Sequence, residues 1–255
     1  MWKGCAAACA TRAGIFAAQL AQEGMTGPAE AFDGPRGMWD QAVGQPVHLQ
    51  DPGGGREPFR ITATSFKFFP AQIHTQAPIG LALELREQVP TKDITAIRIR
   101  SYRSAVRSAA TDPQKWDPQT RETADHSIPF LVATAFQDGA VTPSSFTTER
   151  IRSPVLRQLM SKLTIEEDAE FTKGFPDEMH CQMEVTDTSH RRYTAETAFP
   201  KGHRQNPLSD AELESKLRHL AAGMLPESQC LATLDRLWSL EHAPSLRPLF
   251  DSLVG

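Results

Sequence analysis

The sequence predicts an α+β fold, and three observations support that class. Helical and strand patterns follow one another as helix, loop, helix, strand, helix, strands and helices, without the strict alternation of a doubly wound parallel sheet. Two strand patterns are joined by the short sequence DTSH, as expected for an antiparallel hairpin. The chain has 255 residues, of which 40% are hydrophobic, so one large domain or two small domains can bury a core.

The N-terminal segment predicts a helix over residues 5–22 that is small or apolar on nearly every side. A helix of this kind has to be buried among neighbouring elements. Because it opens the chain, we expect elements that this sequence does not contain to enclose it. The Gly- and Pro-rich residues 24–40 predict a loop. A triple glycine further on does not follow an apolar strand or precede a helix, which argues against a phosphate-binding loop.

The next segment predicts an amphipathic helix that starts just after Pro70. Pro78 lies inside the apolar pattern and should kink the helix or reset its start. The pattern consists of apolar residues at about every fourth position: Ile73, Ala77, Leu81 and Leu85.

Residues 93–102 alternate in polarity and predict a half-buried strand. One face of this strand should be buried and the other exposed. We expect Thr95, Ile97 and Ile99 on the buried face, and Arg98 and Arg100 on the exposed face.

The second half of the chain carries clear helix termini. Residues 125–139 predict a helix with Ser127 as its N-cap and Gly139 just past its end. Strands are predicted at 179–187 and 191–199.

Three C-terminal helices complete the predicted elements. Ser209 and Glu212 form the capping box of the first of them. Two further helices are predicted at about 227–240 and 244–253.

Charge, segment length and cysteine spacing indicate which partners and sites are not expected. A formal net charge of −4 gives no reason to expect nucleic acid or an anionic membrane as a partner. No segment has the length of a spanning helix, so we expect a cytoplasmic protein. The spacing of the four cysteines does not resemble that of a zinc site, so we expect buried free thiols and no bound metal. The cysteines are Cys5, Cys9, Cys181 and Cys230.

The sequence SFKFFPAQIHTQ, at residues 65–76, is the strongest candidate site. Lys67 lies beside three aromatic residues, and an apolar setting raises the cost of its charge unless an anion such as a carboxylate compensates. The alternative is that Lys67 reaches out to solvent while its aromatic neighbours pack inward. His74 is a candidate acid or base near neutral pH, and Gln76 could orient a carboxylate.

Two further sets of residues are weaker candidates. Lys3 precedes a helix whose first amides are unpaired donors, and together they could bind an anion. The consecutive Asp125, His126 and Ser127 suggest a hydrolytic triad, but triad members meet in space and need not be neighbours in sequence. Capping already explains Ser127, so a serine hydrolase is not expected.

Four segments together resemble the MmgE/PrpD family, which includes 2-methylcitrate dehydratase and cis-aconitate decarboxylase. They occur in the order and spacing of the later half of those proteins and span nearly the whole chain. The segments are WKGCAAACATRAGIFAAQLAQEGMTGP, FKFFPAQIHTQ, DHSIPFLVATAFQDGAV and PKGHRQNPLSDAELESKLRHLA.

The resemblance implies part of an all-helical domain plus a small α+β lid domain with an antiparallel sheet. Residues 1–60 would be a remnant of the helical domain and 61–205 the lid. Residues 206–255 would return to the helical domain. The first half of the family's chain has no counterpart here, so we expect a truncated or split form.

The resemblance also implies a lyase that needs no cofactor and eliminates water from a hydroxy-tricarboxylate in propionate metabolism. Lys3 and Lys67 match the family's active-site lysines, and His74 and Gln76 fall just after the second. Phe130 stands where the family commonly has an active-site tyrosine, which removes a hydroxyl group. The implied catalytic residues are Lys67, His74 and Lys3, and the implied substrate-binding residues are Lys3, Lys67, Gln76 and Phe130.

Other functions stay open at this point. The chain could be an inactive remnant or a non-catalytic interaction module that keeps the fold, or a decarboxylase or epimerase of the same family. A homodimer, or association with the missing N-terminal half, is the expected assembly. The isolated chain is expected to be inactive.

Overall fold

The computed structural model describes residues 2–48 and 53–253, with the side chains of residues 2–4 left out. Residue contacts divide the chain into two units, residues 1–62 and 63–255. No helix within the described ranges has the length and apolar character needed to cross a membrane.

The first unit consists of the helices α1 (Trp2–Gln22) and α2 (Met38–Ala42), with loops after each. The predicted N-terminal helix is therefore confirmed, and the predicted loop holds one short helix at its end. Within this unit the described side chains of α1, from residue 5 to residue 22, are exposed apart from the half-buried Leu20, and they include the large side chains of Ile15 (57% exposed) and Phe16 (61% exposed). The prediction of buried thiols is accordingly wrong for Cys5 and Cys9 and right for Cys181 and Cys230.

The second unit is built around a four-stranded sheet in the order β2-β1-β3-β4. β1 pairs antiparallel with β3, and β3 pairs antiparallel with β4, whereas β1 and β2 are parallel. The sheet is thus mixed, and the prediction of a purely antiparallel sheet is wrong. A parallel pair needs a crossover, which the short helices between β1 and β2 supply. The strands are β1 (Ile94–Ser101), β2 (Leu163–Glu167), β3 (Cys181–Asp187) and β4 (Arg192–Thr197).

Eleven further α-helices are described in this unit: α3 (Gln76–Arg86), α4 (Arg103–Ala109), α5 (Pro113–Trp116), α6 (Arg121–Ala124), α7 (Ile128–Asp138), α8 (Thr148–Ile151), α9 (Pro154–Met160), α10 (Ala169–Gly174), α11 (Asp210–Ala221), α12 (Glu227–Trp238) and α13 (Arg247–Asp251). Short 3-10 helices lie at Arg60–Ala63, Ile73–Thr75, Thr91–Asp93, Pro143–Phe146 and Leu240–His242. Pro78 lies in the first turn of α3, so this helix starts later than the apolar pattern does.

The core lies between the sheet and the helices α3 and α7, which pack against each other. α7 is buried along most of its length, and its ends match the sequence prediction. Ser127 Oγ accepts from the amide of Phe130, and Gly139 ends the helix with φ at 71°. Core side chains from both layers include Ile79, Leu85, Leu131, Phe136, Ile97, Ile99, Met183 and Val185.

One side chain of β1 is placed differently from its prediction. Thr95 is exposed, because a register shift between Ile94 and Ala96 interrupts the alternation against β3. The hydroxyl of Thr95 donates to the carbonyl oxygens of Thr186 and Asp187 at 2.9 and 3.2 Å. The buried residues of β1 are therefore Ile94, Ile97, Ile99 and Ser101.

The helix α11 begins with the predicted capping box. Ser209 Oγ accepts from the amide of Glu212, and the Glu212 carboxylate accepts from the amide of Ser209. Lys201 lies 2.8 Å from the same carboxylate. Lys201 and the amide of Ser209 lower the pKa of Glu212 to about 2. The start of α11 is therefore fixed by two groups that both favour the ionised carboxylate.

Candidate active site

The segment that carries Lys67 is held against residues 202–204 by hydrogen bonds. The amide of Phe66 donates to the carbonyl of Gly202 at 2.7 Å. The amide of Arg204 donates to Ser65 Oγ at 3.1 Å. Gly202 has φ at 88°, and a Cβ atom there would lie 2.1 Å from the Phe66 carbonyl oxygen. Only glycine fits this close approach, so the backbone on one side of Lys67 has a fixed partner.

The other side of Lys67 is held by Gln76, which is 2% exposed. Its Oε1 accepts from the amide of Phe69 at 2.9 Å. Its Nε2 donates to the carbonyls of Phe69 and Gln72, each at 3.2 Å, and lies 3.4 Å from that of Ala71. The side chain of Gln76 thus holds the main chain of residues 69–72 through hydrogen bonds. Its contact with a substrate stays a prediction.

Lys67 itself is exposed, which differs from the apolar setting that the sequence predicts. Phe69 is buried and Phe68 half-buried, but Phe66 is 57% exposed, so the aromatic residues do not enclose the lysine. This position fits the alternative in which Lys67 reaches into solvent, and it also leaves the ammonium group accessible to a ligand. Its carbonyl oxygen accepts a hydrogen bond from Lys216 Nζ of α11.

Lys216 is a functional candidate that the sequence analysis missed. The side chain is half-buried, and burial together with the nearby charge of Lys67 lowers its pKa. It lines an apolar cavity of about 270 Å³ with Phe68, Val141 and His219. The sequence feature that could have indicated Lys216 is its position beside the apolar stripe of α11, between Leu213 and Leu217.

His74 lies in a cluster of aromatic rings. Its Nδ1 is 2.7 Å from the hydroxyl oxygen of Tyr102, and the ring of Tyr102 stacks on that of Phe175 with centroids 4.7 Å apart. Burial, followed by the charge of Cys181, raises the pKa of Tyr102 far above its usual value. The Tyr102 hydroxyl therefore keeps its proton and fixes the orientation of the His74 ring. The role of His74 as acid or base stays a prediction.

Phe130 is fully buried in the hydrophobic core, with 0% of its surface exposed. Its ring lies 6.2 Å from that of Phe146, measured between centroids. In this arrangement Phe130 contacts other core side chains, and its predicted contact with a substrate stays a prediction.

Lys3 belongs to α1, but its side chain lies outside the described residues. The prediction that Lys3 and Lys67 bind the same substrate molecule therefore stays a prediction as well.

The residues of the suggested hydrolytic triad have other partners. His126 Nδ1 contacts the Asp125 carboxylate, whereas Ser127 Oγ donates to the carbonyl of Lys115 and accepts from the amide of Phe130. Ser127 is thus used as a helix cap, as the sequence analysis expected. Within residues 2–48 and 53–253, no group of three or more His, Cys, Asp or Glu side chains is placed to hold a metal ion.

Two family models match the chain. The model of the MmgE/PrpD C-terminal domain matches residues 69–240, and that of the MmgE/PrpD N-terminal domain matches residues 1–50. The first match covers most of the second unit, including His74, Gln76, Phe130 and Lys216.

Curated relatives carry two kinds of name. A cis-aconitate decarboxylase of Mus musculus is 26% identical over 176 residues, which is 68% of this chain and 35% of the relative. A 2-methylcitrate dehydratase of Escherichia coli is 27% identical over 183 residues, 69% of this chain and 37% of the relative. A probable 2-methylcitrate dehydratase of Saccharomyces cerevisiae is 31% identical over 114 residues, 43% and 22% of the two chains. The chain therefore spans well under half the length of these relatives.

Proposed function

Because the chain belongs to the MmgE/PrpD family, we propose that it is part of a lyase that eliminates water from a hydroxy-tricarboxylate, as a dehydratase of the 2-methylcitrate type. The names of the Escherichia coli and Saccharomyces cerevisiae relatives support this substrate class. Since the chain spans 37% of the former and 22% of the latter, the complete site would include residues from the rest of the helical domain.

The observation that carries the proposal is the accessible ammonium group of Lys67 on a segment that is fixed on both sides. Gly202 holds the backbone before Lys67, and Gln76 clamps the backbone after it. Lys67 forms no ion pair with a carboxylate among the residues that the structure describes. An accessible cation without a carboxylate partner, carried by a backbone that is held on both sides, is suited to bind a substrate carboxylate.

The chemistry of the elimination explains why such a cation is needed. A base removes the acidic proton from the carbon next to a carboxylate, and negative charge spreads onto that carboxylate. The hydroxyl group then leaves with a proton as water, and a carbon–carbon double bond forms. Lys67 would stabilise the developing negative charge. His74, with its ring oriented by Tyr102, is the candidate for proton transfer in the second unit.

Decarboxylation of a tricarboxylate is the second candidate function. The relative from Mus musculus that matches 68% of this chain is named for that reaction. Loss of carbon dioxide also places negative charge next to a remaining carboxylate, so the same cation would serve both reactions. The product distinguishes them, because decarboxylation releases carbon dioxide and dehydration does not.

A non-catalytic role is the third candidate. Phe130 supplies no hydroxyl group, and the first unit exposes Ile15 and Phe16 on α1. Exposed large apolar side chains on a helix are typical of an interaction surface. We propose that the rest of a helical domain, or a second copy of the chain, covers this helix.

The function is tested with two forms of the protein. One is the 255-residue chain. The other, here called the extended enzyme, is a fusion protein. In it, the part of the Escherichia coli 2-methylcitrate dehydratase that lies before the region matched by this chain is joined to the N-terminus of the chain. Each is incubated with 2-methylcitrate or cis-aconitate, and the products are identified by NMR. We expect the extended enzyme to form the alkene from 2-methylcitrate and the 255-residue chain alone to form none, because the proposed site would need residues from the rest of the helical domain.

The outcomes separate the three candidates. Carbon dioxide from cis-aconitate, without alkene from 2-methylcitrate, favours the decarboxylase. A folded extended enzyme that converts neither compound favours the non-catalytic role. Robust turnover of 2-methylcitrate by the 255-residue chain would refute the expectation that this chain alone is inactive.

A further inference from the structure

A buried tyrosine hydroxyl faces one ring nitrogen of His74. Tyr102 follows β1 directly, and only 1% of its surface is exposed. Its hydroxyl oxygen lies 2.7 Å from His74 Nδ1. Within residues 2–48 and 53–253, this nitrogen is the only hydrogen-bond partner of the hydroxyl group. The proton of the hydroxyl group therefore has one acceptor available to it in the described structure.

The main chain and the neighbouring rings fix the hydroxyl group in this position. The carbonyl of Tyr102 accepts from the amides of Ala105 and Val106, at 3.1 and 3.2 Å, where α4 begins. The ring of Tyr102 stacks on Phe175 and meets the ring of His74 edge-on, with 5.5 Å between the last two centroids. These contacts hold the hydroxyl group on the Nδ1 side of the half-buried imidazole.

This geometry favours one of the two neutral forms of His74. A neutral imidazole carries one proton, on either Nδ1 or Nε2. A proton on Nδ1 would point at the tyrosine oxygen and leave the buried hydroxyl proton without an acceptor among the described residues, which is unfavourable. With the proton on Nε2, the hydroxyl group donates to the lone pair of Nδ1. Burial also raises the pKa of Tyr102, so the hydroxyl group keeps the proton that it donates.

We propose that Tyr102 is a positioning residue that holds neutral His74 in the tautomer with its proton on Nε2. In this tautomer Nε2 donates a hydrogen bond and has no lone pair with which to remove a proton from carbon. A neutral imidazole can polarise a substrate oxygen by such a bond.

The consequence for the elimination rests on the proposed function. His74 would donate to a carboxylate or hydroxyl oxygen of the hydroxy-tricarboxylate, and its role would be limited to hydrogen-bond donation. The base that removes the proton from carbon would then be a different group. The competing explanation is that Tyr102 only fills the core and does not affect the tautomer of His74.

NMR of the 255-residue chain with ¹⁵N-labelled histidine rings separates the two explanations. At alkaline pH, where imidazoles are neutral, the ¹⁵N chemical shifts show which ring nitrogen carries the proton. The spectrum of His74→Gln assigns the signals of His74 among those of the eight histidines. Tyr102→Phe removes the hydroxyl group alone. Tyr193→Phe is the matched control, because Tyr193 is the other of the two tyrosines and its hydroxyl group donates to the Asp187 carboxylate.

We expect wild-type His74 to have a protonated Nε2 and an unprotonated Nδ1. In Tyr102→Phe the Nδ1 resonance should move toward that of an imine nitrogen without a hydrogen bond, whereas Tyr193→Phe should leave His74 unchanged. Circular dichroism confirms that each variant is folded. A proton on Nδ1 in the wild type overturns the proposal, and so do unchanged His74 signals in a folded Tyr102→Phe variant. The wild-type spectrum decides the tautomer even if that variant does not fold.

Turnover of 2-methylcitrate by the extended enzyme tests what this tautomer does. Glutamine keeps an N–H donor at the end of its side chain but has no basic nitrogen. His74→Gln should therefore stay within about tenfold of the unmodified rate, whereas His74→Ala should lose about 100-fold or more. Equal losses in the two variants would overturn the donor role, because a base cannot be replaced by an amide.

The spectra need no turnover, so this inference and the proposed function fail in different ways. An Nε2 proton that depends on Tyr102, in a protein whose extended form converts neither 2-methylcitrate nor cis-aconitate, leaves the tautomer standing and removes the lyase. Turnover by the extended enzyme, with the His74 proton on Nδ1, leaves the lyase standing and removes the role of Tyr102.

Discussion

Replacing Lys67 with alanine in the extended enzyme is expected to lower kcat for 2-methylcitrate by at least about 100-fold, the usual cost of removing one group that stabilises transition-state charge. The effect should be on catalysis and not on folding, because Lys67 is exposed and its side chain has no ion pair among the described residues. The melting temperature should therefore stay close to that of the unmodified enzyme. Initial rates and a thermal unfolding curve for each protein measure the two effects.

The control for Lys67 is an alanine substitution at Lys173, which is also exposed and lies on α10. It removes the same charge and the same length of side chain, but Lys173 already has the carboxylate of Glu170 as its partner. The turnover rate should therefore not change. Lys67→Arg adds a second comparison, because arginine keeps the charge but has a different shape. Near wild-type turnover by Lys67→Ala would make Lys67 an ordinary solvated lysine and leave the proposed mechanism without its cation.

Truncation of Phe130 is expected to cause the largest loss of stability. Phe130→Ala should lower the free energy of unfolding by about 3–5 kcal/mol, because it removes a fully buried ring from the core and leaves a cavity. Such a loss is a large part of the stability of a typical domain. Urea unfolding of the 255-residue chain, followed by circular dichroism, measures it.

Phe250→Ala is the matched control, because it makes the same chemical change at a side chain that is 60% exposed. Its effect should be small by comparison, since the ring already contacts water. A loss below about 1 kcal/mol in Phe130→Ala, typical of side chains outside the core, would show that Phe130 is not a core residue in solution. Its position would then be open to a ligand, as the family resemblance implies.

Much of the fold was predictable from the sequence because local signals determine it. The ends of α7 follow from Ser127 and Gly139, and the start of α11 follows from Ser209 and Glu212. These residues satisfy backbone groups within a few positions of themselves. The class α+β was predicted for a similar reason, since the order of helices and strands is visible in the pattern.

The strand β2 and its parallel pairing with β1 were not predictable in this way. Only one of the five residues of β2, Leu163, is buried, so the segment shows no clear alternation. Its pairing depends on contacts with β1, which ends more than 60 residues earlier. The exposure of Thr95 has the same kind of cause, since the register shift against β3 is a property of the paired strands.

The candidate site was predicted in part. The sequence pointed to Lys67, His74 and Gln76 through residue type and through the family resemblance. It could not show that Gln76 is occupied by the main chain of residues 69–72, or that Tyr102 lies beside His74. It could not show Lys216 either, because α11 lies about 150 residues from Lys67 along the chain and only the tertiary fold brings the two together.

The central claim is that the ammonium group of Lys67 contacts a carboxylate of the substrate. NMR of the 255-residue chain with ¹³C-methylated lysines tests this directly, with the Lys67 resonance assigned from its absence in Lys67→Arg. Titration with tricarballylate should shift the resonance of Lys67 and leave that of Lys173 in place. A Lys67 resonance that does not move up to the highest soluble concentration of the tricarboxylate would contradict the account.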